Sequence, residues 1–172
     1  PSRIGTGSPP DLPIGRLPTR MMRAETDQHE RTLMAWPTEV RRSFFGGHLT
    51  AARRAWAGVA RAIADFEPVT MVVNPGERSS AEALLAEVVN ASRHEVELVE
   101  LAIDDAWMRD SGPVVVRDRG VKTGDDRLAI QFGFNAWGEL VQPFDNDAVV
   151  ATAVAEHLGL PVTRAPFVLE GG

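Results

Sequence analysis

The sequence predicts an α/β protein with antiparallel hairpins mixed in. Three observations predict it. Short apolar runs alternate with longer segments of helical period. Clusters of Pro, Gly, Asn and Asp punctuate the junctions between them. Two of the runs, Val114–Arg117 and Leu128–Phe134, flank a polar turn around Arg119-Gly120 and Asp125-Asp126, the pattern of a hairpin.

The elements follow in chain order. Pro1 to Arg20 is rich in Gly, Pro and Ser, without the apolar centre of a secretory signal, and reads as a flexible lead-in. Arg31–Trp36 (RTLMAW), closed by Pro37, reads as a strand. Leu49–Phe66 places Ala, Trp, Val and Ile at helical spacing with Arg53, Arg54 and Arg61 interleaved, so an amphipathic helix is expected, N-capped by Thr50 and ended by Pro68. Val69–Val73 (VTMVV) is a buried-strand run stopped by Asn74-Pro75-Gly76. Ser79 or Ser80 is expected to open a second helix that runs to about Asn90. Glu95–Ile103 alternates acidic and apolar residues, which suits a half-buried strand. Asp104–Pro113 reads as a polar loop with one large aromatic. Asp145 or Asn146 starts a third helix through His157, closed by Gly159 and Pro161, and Val162–Leu169 is a last strand.

The length of 172 residues predicts one domain able to bury a sizeable core. Apolar residues make up 44% and charged residues 24%, an ordinary globular balance. With 18 basic and 24 acidic residues the formal charge is -6, which argues against a general nucleic-acid binder and suits a small cationic substrate. There is no cysteine, so a disulfide, a thiolate metal site and a Cys nucleophile within these residues are excluded. No apolar run approaches the length of a membrane span, and a cytoplasmic protein is expected. No two of the four histidines have metal-ligand spacing, so a zinc site is not expected. No other metal and no cofactor is expected either. Gly46-Gly47 is not followed by Lys and Ser/Thr and is no phosphate-binding loop.

The densest chemistry lies in Asp104-Asp105-Ala106-Trp107-Met108-Arg109-Asp110-Ser111-Gly112-Pro113. A carboxylate grips a guanidinium through two parallel charge-assisted hydrogen bonds, and an indole face attracts the same cation. Trp107 and Asp110, three apart in a turn, can therefore clamp a guanidinium. The plainer reading pairs Arg109 with Asp104 or Asp105 and sends Trp107 to the core. In Phe132-Gly133-Phe134-Asn135-Ala136-Trp137-Gly138, Asn135 and Trp137 can line a pocket; the plainer reading is a hairpin end packed by aromatics. Leu169-Glu170-Gly171-Gly172 can set the Glu170 carboxylate in a cleft at a strand end, against the plainer reading of a solvated turn. His29 reads as structural or superficial, as do His48, His94 and His157.

Taken in order, four stretches resemble the agmatine deiminase and bacterial peptidylarginine deiminase family. They are His29-Glu30-Arg31-Thr32 with Met34-Ala35-Trp36-Pro37, then Asp105 to Pro113, then Phe134-Asn135-Ala136-Trp137-Gly138, then Leu169 to Gly172. The resemblance implies a partial pentein, that is, only the N-terminal blades of a five-bladed α/β propeller of ββαβ units. Residues 1–21 would be the lead-in and 22–172 the N-terminal part of a single deiminase domain, ending before the catalytic His and Cys of the family. It implies hydrolysis of agmatine to N-carbamoylputrescine and ammonia through a Cys-thiouronium intermediate, a step of putrescine synthesis in polyamine metabolism. It implies Asp110 and Glu170 as catalytic carboxylates, with Trp107, Asp110, Asn135 and Trp137 meeting the substrate. These residues alone would be inactive, and their partners would be the small guanidine substrate and either the missing C-terminal half or a second copy. A peptidylarginine deiminase, a non-catalytic half-pentein binding module and an amidinotransferase are the alternatives.

Overall fold

The computed structural model describes residues 19–88, 92–121 and 124–169. Its centre is β3 (Val69–Val73), in which all five residues are buried. β2 (Thr32–Ala35) and β4 (Val96–Glu100) flank it in parallel, with Met34, Met71 and Leu98 in register across the sheet. A parallel strand covered on both faces reads as a continuous apolar run, which is why VTMVV shows no alternation.

The two faces of β3 serve different helices. Val69, Met71 and Val73 pack with Trp36 against α1 (Leu49–Ala64) and α2 (Arg78–Val88). Ala57, Ala60 and Ala64 supply the buried stripe of α1, and their small side chains let it lie close to the sheet. Val72 faces the other way, onto Ile103, Met108, Val150 and Val154. α1 starts one residue before Thr50, with His48 at the N-cap and no side-chain cap. A seven-residue 3-10 helix, Glu39–Phe45, ends at Gly46 and Gly47 with positive φ and delivers Leu49 into the core, so Thr50 is already inside the helix. α2 likewise opens at Arg78, and the Ser80 hydroxyl donates back to the Glu77 carbonyl within its first turn. The expected end near Asn90 lies outside the described residues.

β5 (Val114–Asp118) and β6 (Arg127–Gly133) form the expected antiparallel hairpin, with Val116 opposite Leu128. β7 (Val162–Val168) joins β6 in parallel, and β1 (Arg20–Met22) adds to the outer side of β5. The expected boundary between lead-in and domain at 21/22 thus falls inside β1; residues 1–18 lie outside the described residues. What holds β1 is a pairing partner nearly a hundred residues away, invisible in a local reading. α5 (Asp147–His157) sits between the two sheets, Val150 and Val154 against the parallel one and Ala155 against Ala129 of the mixed one. Contact on two sides explains why its sequence is apolar on more than one face. Among the described residues no helix is long and apolar enough to cross a membrane.

Candidate functional site

Ligands of open α/β sheets gather outside the carboxyl ends of the strands. Here the segments leaving β2, β3, β4 and β6 are stitched together at those ends. The Thr38 hydroxyl donates to the Asp104 carbonyl at 2.7 Å, and the Ile103 N–H donates to Asn74 Oδ1 at 2.9 Å. The buried Asp104 carboxylate accepts from the Asn146 backbone N–H at 2.8 Å and from its side-chain amide at 2.9 Å. In return the Asp104 N–H donates to Asp147 Oδ1 at 2.8 Å. Burial pushes the Asp147 carboxyl up to about 6, with the charges of Asp104 and Asp105 acting in the same direction and backbone N–H donors against it.

This lock presents a short loop and then α3 (Met108–Ser111), a single turn closed by Gly112. Asp110 is half-buried on that turn, its N–H bonded to the Trp107 carbonyl at 3.0 Å. Among the described residues the Asp110 carboxylate has no hydrogen-bond or ion-pair partner. Trp107 is 48% exposed rather than in the core, and its ring meets Trp56 edge-on at 6.2 Å. Arg109 pairs with Glu25 at 3.3 Å, not with Asp104 or Asp105. Both of those carboxylates are already engaged, Asp105 by Arg41 at 2.9 Å.

The second cluster is built differently. Ala136, Trp137, Gly138 and Glu139 all have positive φ, so the one-turn element α4 (Ala136–Glu139) is left-handed. Three of the four carry a Cβ, and such a conformation costs about 1–2 kcal/mol per residue. Asn135 Oδ1 accepts from the Gly138 N–H at 3.0 Å and caps the turn. Trp137 packs edge-to-face on Phe134 at 5.5 Å, and Phe134 meets Phe144 at 6.4 Å. Aromatics therefore do pack this hairpin end, as the plainer reading has it, while Trp137 stays half-buried. Among the described residues no hydrogen bond or ring contact joins Trp107 or Asp110 to Asn135 or Trp137. Glu170 lies outside the described residues.

His29 sits at the opposite, amino end of β3. Its ring bonds Glu67 at 3.2 Å and the Glu25 carbonyl at 2.9 Å, and the Glu67 hydrogen bond raises its pKa above the ordinary histidine value. A polar cleft there is lined by Arg23, His29, Glu67, His94 and Arg117. Among the described residues no three His, Cys, Asp or Glu converge as a metal would require. The residues missed by sequence reasoning are Arg41, Asn146 and Asp147. Nothing local marks Arg41 in Glu39–Phe45, since a buried arginine differs from a surface one only by what folds over it.

Residues 21–172 match the family described as Porphyromonas-type peptidyl-arginine deiminase. A relative from Streptomyces coelicolor is 43% identical over 156 residues, covering 90% of this chain and 42% of its own. The agmatine deiminase of Pseudomonas aeruginosa is 40% identical over 157 residues, covering 88% and 39%. A solved structure of Enterococcus faecalis agmatine deiminase superposes with a TM-score of 0.73 at 28% identity, covering 90% of this chain and 40% of that one. The substrate-bound C. jejuni agmatine deiminase, 21% identical, shares the fold with a TM-score of 0.72 over 89% and 41%. The chain thus spans about two-fifths of the length of the relatives it matches.

Proposed function

The chain belongs to the Porphyromonas-type peptidyl-arginine deiminase family, and from that premise we propose that it supplies the guanidinium-holding part of a hydrolase that deiminates agmatine. One observation carries the reading. The Asp110 carboxylate is half-buried and unpartnered among the described residues, one helical turn from the exposed Trp107, in a chain otherwise dense with ion pairs. A carboxylate held partly out of water without a cation is suited to receive one.

In the proposed reaction Asp110 holds the guanidinium and the Trp107 ring flanks it. Asn135 and Trp137 line the pocket further out, and Glu170 stands beside the general acid. A cysteine thiolate attacks the guanidinium carbon, ammonia leaves, and water then releases N-carbamoylputrescine from the sulfur. Residues 1–172 contain no cysteine, so the nucleophile must come from elsewhere in a larger protein or assembly. We assign that whole to the five-bladed pentein propeller, with these residues as its N-terminal blades. Support for agmatine rests on the Pseudomonas aeruginosa relative. The description of the family favours peptidyl-arginine as the second reading.

The test compares kcat/KM for agmatine, arginine and a blocked arginine peptide in the full-length protein that carries this segment, with residues 1–172 assayed alone alongside. Agmatine should be preferred and the segment alone should release no ammonia. A preference for the peptide would shift the reading to a peptidylarginine deiminase; turnover by the segment alone would refute the thiolate mechanism.

A further inference from the structure

The four proposed substrate-binding residues reside on two segments, 104–113 and 134–146, that are separate in sequence. Both are tied to one side chain. Arg41, 2% exposed, donates from Nε to Asp105 Oδ2 at 2.9 Å, from Nη1 to the Gln142 carbonyl at 2.8 Å and from Nη2 to the Pro143 carbonyl. Each guanidinium nitrogen is therefore spent, and they are spent in two directions. Towards 104–113, the Asp105 carboxylate also accepts the Ala106 N–H at 2.7 Å, fixing the entry to the turn that carries Trp107 and Asp110. Towards 134–146, Pro143 precedes Phe144, which packs on Phe134 and through it on Trp137. The Asp104–Asn146 and Asp104–Asp147 bonds run alongside as a second tie.

We propose that Arg41 is a positioning residue of the guanidinium site: it sets the Trp107–Asp110 turn relative to the Asn135–Trp137 turn without itself touching substrate. The reaction it would serve rests on the deiminase reading above. The geometry requires arginine in particular. A planar guanidinium reaches three acceptors in a fixed fork, whereas an ammonium on a shorter stem keeps the charge beside Asp105 but not the span to both carbonyls. Mispositioning a binding group by about 1 Å is enough to cost on the order of 10²-fold in rate.

The test is Arg41→Lys in the full-length protein, read in two independent ways. Amide hydrogen exchange should rise at least tenfold in both 104–113 and 134–146 while β3 keeps its protection. The kcat/KM for agmatine should fall at least tenfold, mostly in kcat. The same substitution placed on Asp110→Asn should cost clearly less than it costs in the wild type, because the group whose placement matters most is already lost and only the flanking contacts of Trp107, Asn135 and Trp137 remain to be set. Wild-type protection in either segment overturns the proposal, as does an equal loss in both backgrounds, which would make Arg41 merely stabilising. Should Arg41→Lys fail to fold, Asp105→Asn weakens the tie at its 104–113 end while the bonds to the Gln142 and Pro143 carbonyls remain, and it should raise exchange in 104–113 and lower kcat/KM; wild-type exchange there overturns the proposal. If the wild-type protein turns over no guanidine at all, the deiminase reading fails, while the exchange measurement still decides whether Arg41 couples the two segments.

Discussion

At the residue scale the decisive contrast is between carboxylates that look alike in the sequence. Asp104, Asp105 and Asp110 lie within seven positions, yet the first two are consumed by Asn146 and Arg41, and of the three only the Asp110 carboxylate has no partner among the described residues. Asp110→Asn in the full-length protein should therefore lower kcat/KM for agmatine on the order of 10²-fold or more. The amide loses the charge and one acceptor and presents an NH₂ where a guanidinium N–H must approach. Glu156→Gln, on the exposed side of α5, is the matched control and should be nearly silent. Asp118 does not serve as that control, although its place beside a polar turn invites the choice. It closes β5, accepts the Gly120 N–H at 2.8 Å and pairs with Arg20 of β1, and these contacts hold its pKa below the ordinary carboxylate range. A near wild-type rate in a folded Asp110→Asn would make Asp110 a structural residue.

Asp147 provides a second residue-scale prediction, with the opposite sign from most carboxylates. Its folded-state value of about 6 stands above the unfolded 3.8, so the folded state binds the proton more tightly. Stability contributed by the protonated form is complete below about pH 4, declines as pH rises towards 6 and is gone above it. Chemical denaturation across that window should show the wild type losing stability relative to Asp147→Asn as pH increases. A difference that is flat in pH, or that grows in favour of the wild type, would place the Asp147 carboxyl at an ordinary value.

At the scale of elements, the turn that presents Trp107 and Asp110 depends on a glycine with no unusual backbone angle. Gly112 has φ −76° and ψ 172°, which any residue adopts. A Cβ there would collide with the Met108 carbonyl oxygen and lie 2.7 Å from its sulfur. Since the carbonyl accepts the Gly112 N–H at 2.9 Å, α3 cannot relax without losing its closing bond. Gly112→Ala should cost about 1–3 kcal/mol, the usual range for overpacking. Gly58→Ala provides the comparison, because Gly58 lies in α1 with nothing within 4 Å of its would-be Cβ. There the gain in helix propensity should stabilise by roughly 0.5–1 kcal/mol. Opposite signs in urea denaturation of the two variants are expected; equal effects would show that the Met108 contact yields without cost.

On the scale of the whole molecule, two sheets share one helix. α5 is packed from both sides, and the loops that meet at its N-terminus carry the proposed site. Much of this was legible beforehand. β2, β3, the β5–β6 hairpin, α1, α5 and β7 fall within a few residues of where periodicity and punctuation put them, because amphipathicity and turn chemistry are properties of neighbouring residues. The motif residues were legible too, as chemical types in a suggestive order. Composition by itself determined that no thiolate can arise within these residues. What the tertiary structure alone decided was pairing. Arg109 bonds Glu25, 84 residues away; Arg41 bonds carbonyls 101 and 102 residues on; β1 finds β5 across almost the same distance. The left-handed turn at Ala136–Glu139 belongs to the same class, since nothing local favours three residues with a Cβ at positive φ. The physical reason is common to all of them. A chain of 18 cations and 24 anions offers every charge many partners of the right type. Which one is met depends on where the packed core has carried the backbone, and no window of neighbouring residues contains that information.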